Sequence, residues 1–101
     1  MALLRMDNVL IVVDNLEAAK NFFIALGMEL EGETSVGGPW VDRVVGLENV
    51  RCDIVMLRTP DGYGRIELDK FHTPEAVSNG PANLPVNTLG LHRIMFAVDD
   101  L

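Results

Sequence analysis

A nine-residue pattern occurs twice in this 101-residue chain, once near each end. Residues 8–16 read Asn-Val-Leu-Ile-Val-Val-Asp-Asn-Leu, and residues 93–101 read Arg-Ile-Met-Phe-Ala-Val-Asp-Asp-Leu. Eight of the nine positions match in kind, and such self-similarity is typical of internal duplication. We therefore expect the two segments to be equivalent strands of two related modules. The second copy stops at Leu101, where its helix should begin.

The residues that surround and follow the first copy have the pattern of a complete small module. The apolar run at 7–13 is rich in β-branched residues and predicts a strand. Asp14 and Asn15 offer a helix N-cap, apolar residues then recur at helical spacing, and Gly27 supplies the stop. Further strands are predicted at 28–33 and 51–58, with a short helical turn between them.

The last strand of this module is predicted at 64–71, after a turn formed by Thr-Pro-Asp-Gly. Its residues alternate, so that Ile66 and Leu68 share one face and Glu67 lies on the other. An acid in the middle of a strand is costly unless its face is wet or charged. The simple explanation is a solvated sheet face, and the alternative is a site.

The stretch at 72–89 contains three prolines with Asn and Gly between them, which predicts a linker. We assign a single domain with three parts: 1–71 is a βαβββ module, 72–89 the linker, and 90–101 the first strand of an incomplete second module. His72, at the start of the linker, has no partner at a suitable sequence spacing, so we assign it no role.

Charge and composition exclude several classes of partner. The net charge of −7 repels nucleic acid and anionic membranes, and no apolar run approaches membrane-spanning length. The single cysteine, Cys52, cannot form an internal disulfide and fits a reducing cytoplasm. It alternates with Ile54 and Met56, so we interpret it as a small buried hydrophobic residue and not as a nucleophile.

These motifs, in this order, resemble the vicinal oxygen chelate superfamily, which includes glyoxalase I, extradiol dioxygenases and the bleomycin-resistance proteins. The resemblance covers nearly the whole chain, through 8–16, the Phe-Phe helix, 65–68 and 93–101. It implies an α+β fold in which two βαβββ modules form a half-open barrel around a divalent metal. This chain would supply one complete module and the first strand of a second.

The resemblance also implies four metal ligands, of which this sequence keeps one. The acid position falls on Glu67, but the two histidine positions fall on Asn8 and Arg93, and the fourth lies beyond Leu101. Asn is a weak metal ligand and Arg cannot be one. His92 would serve only if a β-bulge turned it to the other face. We therefore expect no metal cofactor, while a divalent metal stays the disfavoured alternative.

Without the metal, we expect an ion pair between Glu67 and Arg93 with Asn8 nearby. It either closes the barrel or binds a small anionic or carbonyl-bearing molecule, with Arg93 as the anchor and Glu67 as the candidate catalytic base. Leu10 and Met95 would contribute to an apolar lining. Three functions remain open: a metal-free binding protein of the resistance type, a metal-dependent lyase, isomerase or dioxygenase, and an inactive fragment of a two-module protein.

The same reasoning predicts self-association. A single module leaves the inner face of its sheet bare, and the strand at 90–98 has unpaired edges. We expect a homodimer in which the linker lets that strand add to the sheet of a second copy. The small-molecule ligand and the second copy are the partners that the sequence predicts.

Overall fold

The chain folds as a four-stranded sheet with one longer and one shorter helix, as a computed structural model shows for residues 1–78, 80 and 82–100. In chain order the elements are β1 (Val9–Val12), α1 (Leu16–Leu26), β2 (Glu29–Gly37), α2 (Pro39–Val45), β3 (Arg51–Arg58) and β4 (Arg65–Thr73). This is the predicted α+β architecture with one βαβββ module, and it is confirmed.

The sheet has the strand order β1-β4-β3-β2. The three later strands form an antiparallel meander, whereas β1 lies parallel to β4, with Val9 opposite Ile66. A parallel pair needs a crossover connection, which α1 and the following strands provide. β1 is therefore one edge of the sheet in the part of the chain that the structure describes.

The helix α1 begins and ends where the sequence predicts. Asn15 is the N-cap, since its side-chain oxygen accepts a hydrogen bond from the backbone nitrogen of Ala18 at 3.0 Å. Asp14, the other candidate, is not the cap residue. Gly27 ends the helix in the left-handed conformation, with φ of 115°.

The core lies between α1 and one face of the sheet. Leu57 and Leu68 are completely buried there, and Phe23 of α1 packs against them. The other buried core residues are Met28, Val55 and Ile66. Since Ile66 and Leu68 face α1, the intervening Glu67 lies on the opposite face, as the alternation predicts.

The C-terminal part differs from the prediction of a strand at 90–98. The described residues after β4 form no helix or strand, and a cavity of about 300 Å³ separates residues 91–94 from β1. Without backbone hydrogen bonds across that gap, no fifth strand forms. Phe96 still reaches the helix side, with its ring centroid 6.4 Å from that of Phe23.

Three residues of the predicted linker and final strand, Asn79, Pro81 and Leu101, lie outside the described residues. Within the described part, neither helix is long and apolar enough to cross a membrane.

Candidate functional site

The face of the sheet that points away from α1 carries two carboxyl groups side by side. Glu67 and Asp69 are two residues apart on β4 and share this face. In the sheet register, Leu10 of β1 lies opposite Glu67, and Val12 lies opposite Asp69. Met56 and Ile54 of β3 flank the same two acids on the other side. We call these six residues the acidic face.

The acidic face is open on its β1 side and closed around Asp69. Leu10 and Val12 are each about half exposed, whereas Asp69 is only 6% exposed. Its Oδ1 atom is buried without a hydrogen-bond partner among the described residues. Burial raises the pKa of the Asp69 carboxyl to about 7, and the neighbouring Glu67 acts in the same direction. This acid therefore exchanges its proton near neutral pH.

Cys52 lies next to these acids, and its thiol is unreactive. It is 3% exposed, and burial, followed by the negative charge of Asp69, raises the pKa of its thiol to about 12. A thiol that does not ionise is a poor nucleophile. The interpretation of Cys52 as a buried hydrophobic residue is confirmed.

The structure brings together some of the predicted site residues and separates others. Leu10 pairs with Glu67 in the sheet, and Leu10 and Arg93 line the 300 Å³ cavity beside β1. No ion pair joins Arg93 to Glu67 in the described part of the chain, so that expectation is corrected. The reason is that residues 91–94 do not pair with the sheet. Met95 is 74% exposed.

One cation that contacts acidic side chains near this face is Arg65, which the sequence did not single out. Its guanidinium lies 2.9 Å from a carboxylate oxygen of Glu31 and 3.4 Å from one of Asp7. Asn8 also contacts Asp7, donating a hydrogen bond to its carboxylate at 2.9 Å. This bond, helped by the charges of Arg65 and Arg5, holds the pKa of Asp7 below its usual value.

The donor set does not suit a divalent metal. Of the positions carried over from the family pattern, only Glu67 has a side chain that binds such ions well. Among the described residues, no group of three or more His, Cys, Asp or Glu side chains is arranged so that it could hold a metal ion. The imidazole of His92 is bonded to the carbonyl oxygen of Thr88. We derive no chemical step through a metal.

A second polar cluster lies at the other end of the sheet. Asp53 on β3 accepts a hydrogen bond from the Ser35 hydroxyl at 2.5 Å and contacts Nε2 of His72 at 2.8 Å. His72 thus has a partner, contrary to the expectation from sequence spacing. The hydrogen bonds from Ser35 and His72 lower the pKa of Asp53. Because the aspartate stands between the serine and the histidine, the cluster lacks the serine–histidine contact of a nucleophilic triad.

This cluster borders a cavity of about 750 Å³, which we call the rim cavity. The loops at both ends of α2 form one wall, and the adjacent ends of β2, β3 and β4 form the other. Its lining includes Val36, Pro39, Arg51, Asp53 and His72.

The fold and the acidic face define a protein with one βαβββ module and a sheet face that carries two acids. The family model described as the glyoxalase/bleomycin resistance protein/dioxygenase superfamily matches residues 5–101. The chain belongs to this superfamily, which confirms the resemblance drawn from its motifs.

A solved structure agrees with this assignment. The chain is similar to a glyoxalase family protein from Bacillus cereus, with 48% sequence identity and a TM-score of 0.92 over 99% of its own length. It covers 66% of the length of that protein's chain. A search of curated proteins finds no match.

Proposed function

We propose that this chain is a metal-independent binding protein of the glyoxalase and bleomycin-resistance class, with a small molecule bound on the acidic face. The observation that carries the proposal is the buried Oδ1 atom of Asp69, which has no hydrogen-bond partner in the described part of the chain. A buried polar atom without a partner costs free energy and indicates a group that a ligand or a proton satisfies.

The side chains around the acids suit such a ligand. Leu10, Val12 and Met56 provide the apolar surface typical of small-molecule sites, while Glu67 provides a carboxylate that accepts a hydrogen bond or, as a base, a proton. Asn8, Arg93 and Met95 lie beside β1 or on the C-terminal segment, where they contact the part of the ligand beyond the acids.

The charges of this face favour a ligand with hydrogen-bond donors. Glu67 and Asp69 are both acids, and Arg65 is already engaged by Glu31 and Asp7. Arg93 does not neutralise Glu67 in this arrangement. A cationic or donor-bearing group therefore fits better than the anionic ligand that an Arg93 anchor would bind.

Benzamidine is a suitable probe, because it joins a cationic donor group to an apolar ring. We expect NMR titration to shift the amide signals of Leu10 and Glu67, and Glu67→Gln to weaken binding about tenfold. Glu48→Gln is the matched control, since Glu48 is an exposed acid outside the face. Equal weakening by both variants, or no shift at either residue, would contradict the proposal.

Metal independence has a separate test. We expect calorimetric titration with zinc, nickel, manganese or iron to show no stoichiometric site that depends on Glu67. Tight binding that Glu67→Gln abolishes would instead support the metal-dependent lyase, isomerase or dioxygenase, with His92 as the first residue to investigate.

We further propose that a second copy of the chain covers the open face and that the protein acts in the cytoplasm. Half-exposed Leu10 and Val12 support a homodimer, because contiguous apolar surface on a sheet favours association. Light scattering should give twice the mass of the 11.1 kDa chain. A monomer with a cooperative melt contradicts this arrangement.

A further inference from the structure

The walls of the rim cavity are held by specific hydrogen bonds. Both carboxylate oxygens of Asp42 on α2 accept from backbone, one from the Asn49 nitrogen at 3.0 Å and one from the Val50 nitrogen at 2.9 Å. The Thr73 hydroxyl donates to the Asn49 carbonyl oxygen at 2.6 Å. The loop before β3 is therefore fixed to both α2 and β4, which makes the cavity preformed.

Gly37 on β2 contributes to the same construction. A Cβ atom at this position would lie 2.7 Å from the carbonyl oxygen of Val50, closer than real contacts allow. The two backbones approach each other here because residue 37 has no side chain. The cavity wall thus depends on glycine at position 37 as well as on the hydrogen bonds of Asp42 and Thr73.

The acids of the rim cavity already have partners, whereas its cation has none in the part of the chain that the structure describes. Each carboxylate oxygen of Asp42 and Asp53 accepts a hydrogen bond. Arg51 lines the cavity and forms no ion pair with any described residue. His72 uses Nε2 for Asp53, which leaves Nδ1 to donate to a ligand when the ring is protonated.

We propose that the rim cavity is a second binding site, specific for a small organic anion. The carboxylate or phosphate group of the ligand accepts hydrogen bonds from the Arg51 guanidinium, whose paired N–H groups match two acceptor oxygens. The same ligand group contacts His72. The apolar body of the ligand lies against Val36 and Pro39. A volume of about 750 Å³ is within the ordinary range for small-molecule sites.

The proposal is independent of the acidic face, and the two sites select opposite charges. The carboxylates of the rim cavity keep their negative charge but are hydrogen-bonded within the protein, so the charged group without a partner among the described residues is the Arg51 guanidinium. On the acidic face the atom without a hydrogen-bond partner among the described residues is a carboxyl oxygen, Oδ1 of Asp69. A benzene ring carrying either an amidine or an acid group therefore distinguishes the two regions.

The test uses benzoate and phenyl phosphate as probes, titrated into the intact chain and followed by NMR. We expect the amide signals of Gly37 and Gly38, which line the cavity, to shift with a Kd on the order of 1 mM for the better probe. The tighter of the two identifies carboxylate or phosphate as the preferred group.

Arg51→Gln should weaken this binding about tenfold, because it removes the charge-assisted contact. Arg43→Gln is the matched control, since it removes the same charge from α2 outside the cavity lining. His72→Gln should weaken binding by a smaller factor. The proposal is overturned if neither probe shifts Gly37 or Gly38, if the shifts occur at Glu67 instead, or if the two arginine variants behave alike.

Discussion

The acidic face and the rim cavity place aspartates on neighbouring strands of one sheet, yet the two carboxyls have opposite properties. Asp69 on β4 is buried beside a second acid, and its pKa rises to about 7. Asp53 on β3 is partly exposed and bonded to Ser35 and His72, and its pKa falls. The hydrogen-bond donors around a carboxyl group, together with its burial, therefore decide its charge.

The same contrast separates the carboxyl groups that support the fold from the one that does not. A carboxylate with all its donors in place is part of the scaffold, as Asp42 and Asp53 are in the rim cavity. Asp69 differs, because one of its carboxyl oxygens has no partner among the described residues, and this group is available to exchange its proton. Four experiments test this distinction.

The largest expected effect is on the pH dependence of stability through Asp69. A folded-state pKa raised from 3.8 to about 7 means that this group's contribution is fully present below about pH 4 and is lost as the pH rises to about 7. The loss is on the order of 4 kcal/mol in the free energy of unfolding. Asp69→Asn, neutral at every pH, should not show it. Urea denaturation across this pH range measures the effect, and parallel profiles for the two proteins would contradict it.

Asp42→Ala tests the supporting role of a satisfied carboxylate. It removes two charge-assisted hydrogen bonds to backbone nitrogen and should lower the free energy of unfolding by about 2–3 kcal/mol. Glu48→Ala, at an exposed acid in the same loop region, serves as the control. If both substitutions cost the same, Asp42 does not hold the cavity wall.

Arg65→Gln tests whether the cation near the acidic face offsets the negative charge of Glu67 and Asp69. Its ion pairs with Glu31 and Asp7 are partly exposed, so we expect a loss below about 1 kcal/mol that shrinks further in high salt. Thermal melts at low and high salt measure it. A larger, salt-independent loss would mean that Arg65 stabilises Glu67 or Asp69.

The smallest change in stability is expected for Asp53→Asn. The lowered pKa of Asp53 means that its contribution is present above its ordinary value of 3.8 and is lost as the pH falls through its folded pKa. The slope is thus opposite to that of Asp69. Carboxyl NMR titration should place Asp53 below 3.8 and Asp69 near 7. If the carboxyls of Asp53 and Asp69 both titrated near pH 4, the two regions would not differ in this property.

Local patterns in the sequence predict most of this fold. The cap at Asn15, the stop at Gly27 and the alternation around Glu67 each follow from a few neighbouring residues. The strand predicted at 90–98 does not form, because a strand depends on a partner backbone that its own sequence does not provide.

The site was less predictable because it depends on contacts between distant residues. Alternation along β4 puts Asp69 on the same face as Glu67, but the raised pKa of Asp69 depends on burial by other strands. The contact of His72 with Asp53 spans 19 positions and depends on the register of β3 and β4. The expected ion pair between Glu67 and Arg93 required a strand at 90–98 beside β1, and the structure does not form that strand.

The parallel pairing of β1 with β4 also determines the order in which this module can assemble. Val9 lies opposite Ile66, so β1 gains a backbone partner only after β4 has formed. The β3–β4 hairpin closes over a short turn and faces a much smaller entropic cost. We expect the meander to fold early and β1, carrying Leu10 to the acidic face, to dock afterwards. The β1 side of the acidic face is then the last part of the sheet to form during folding.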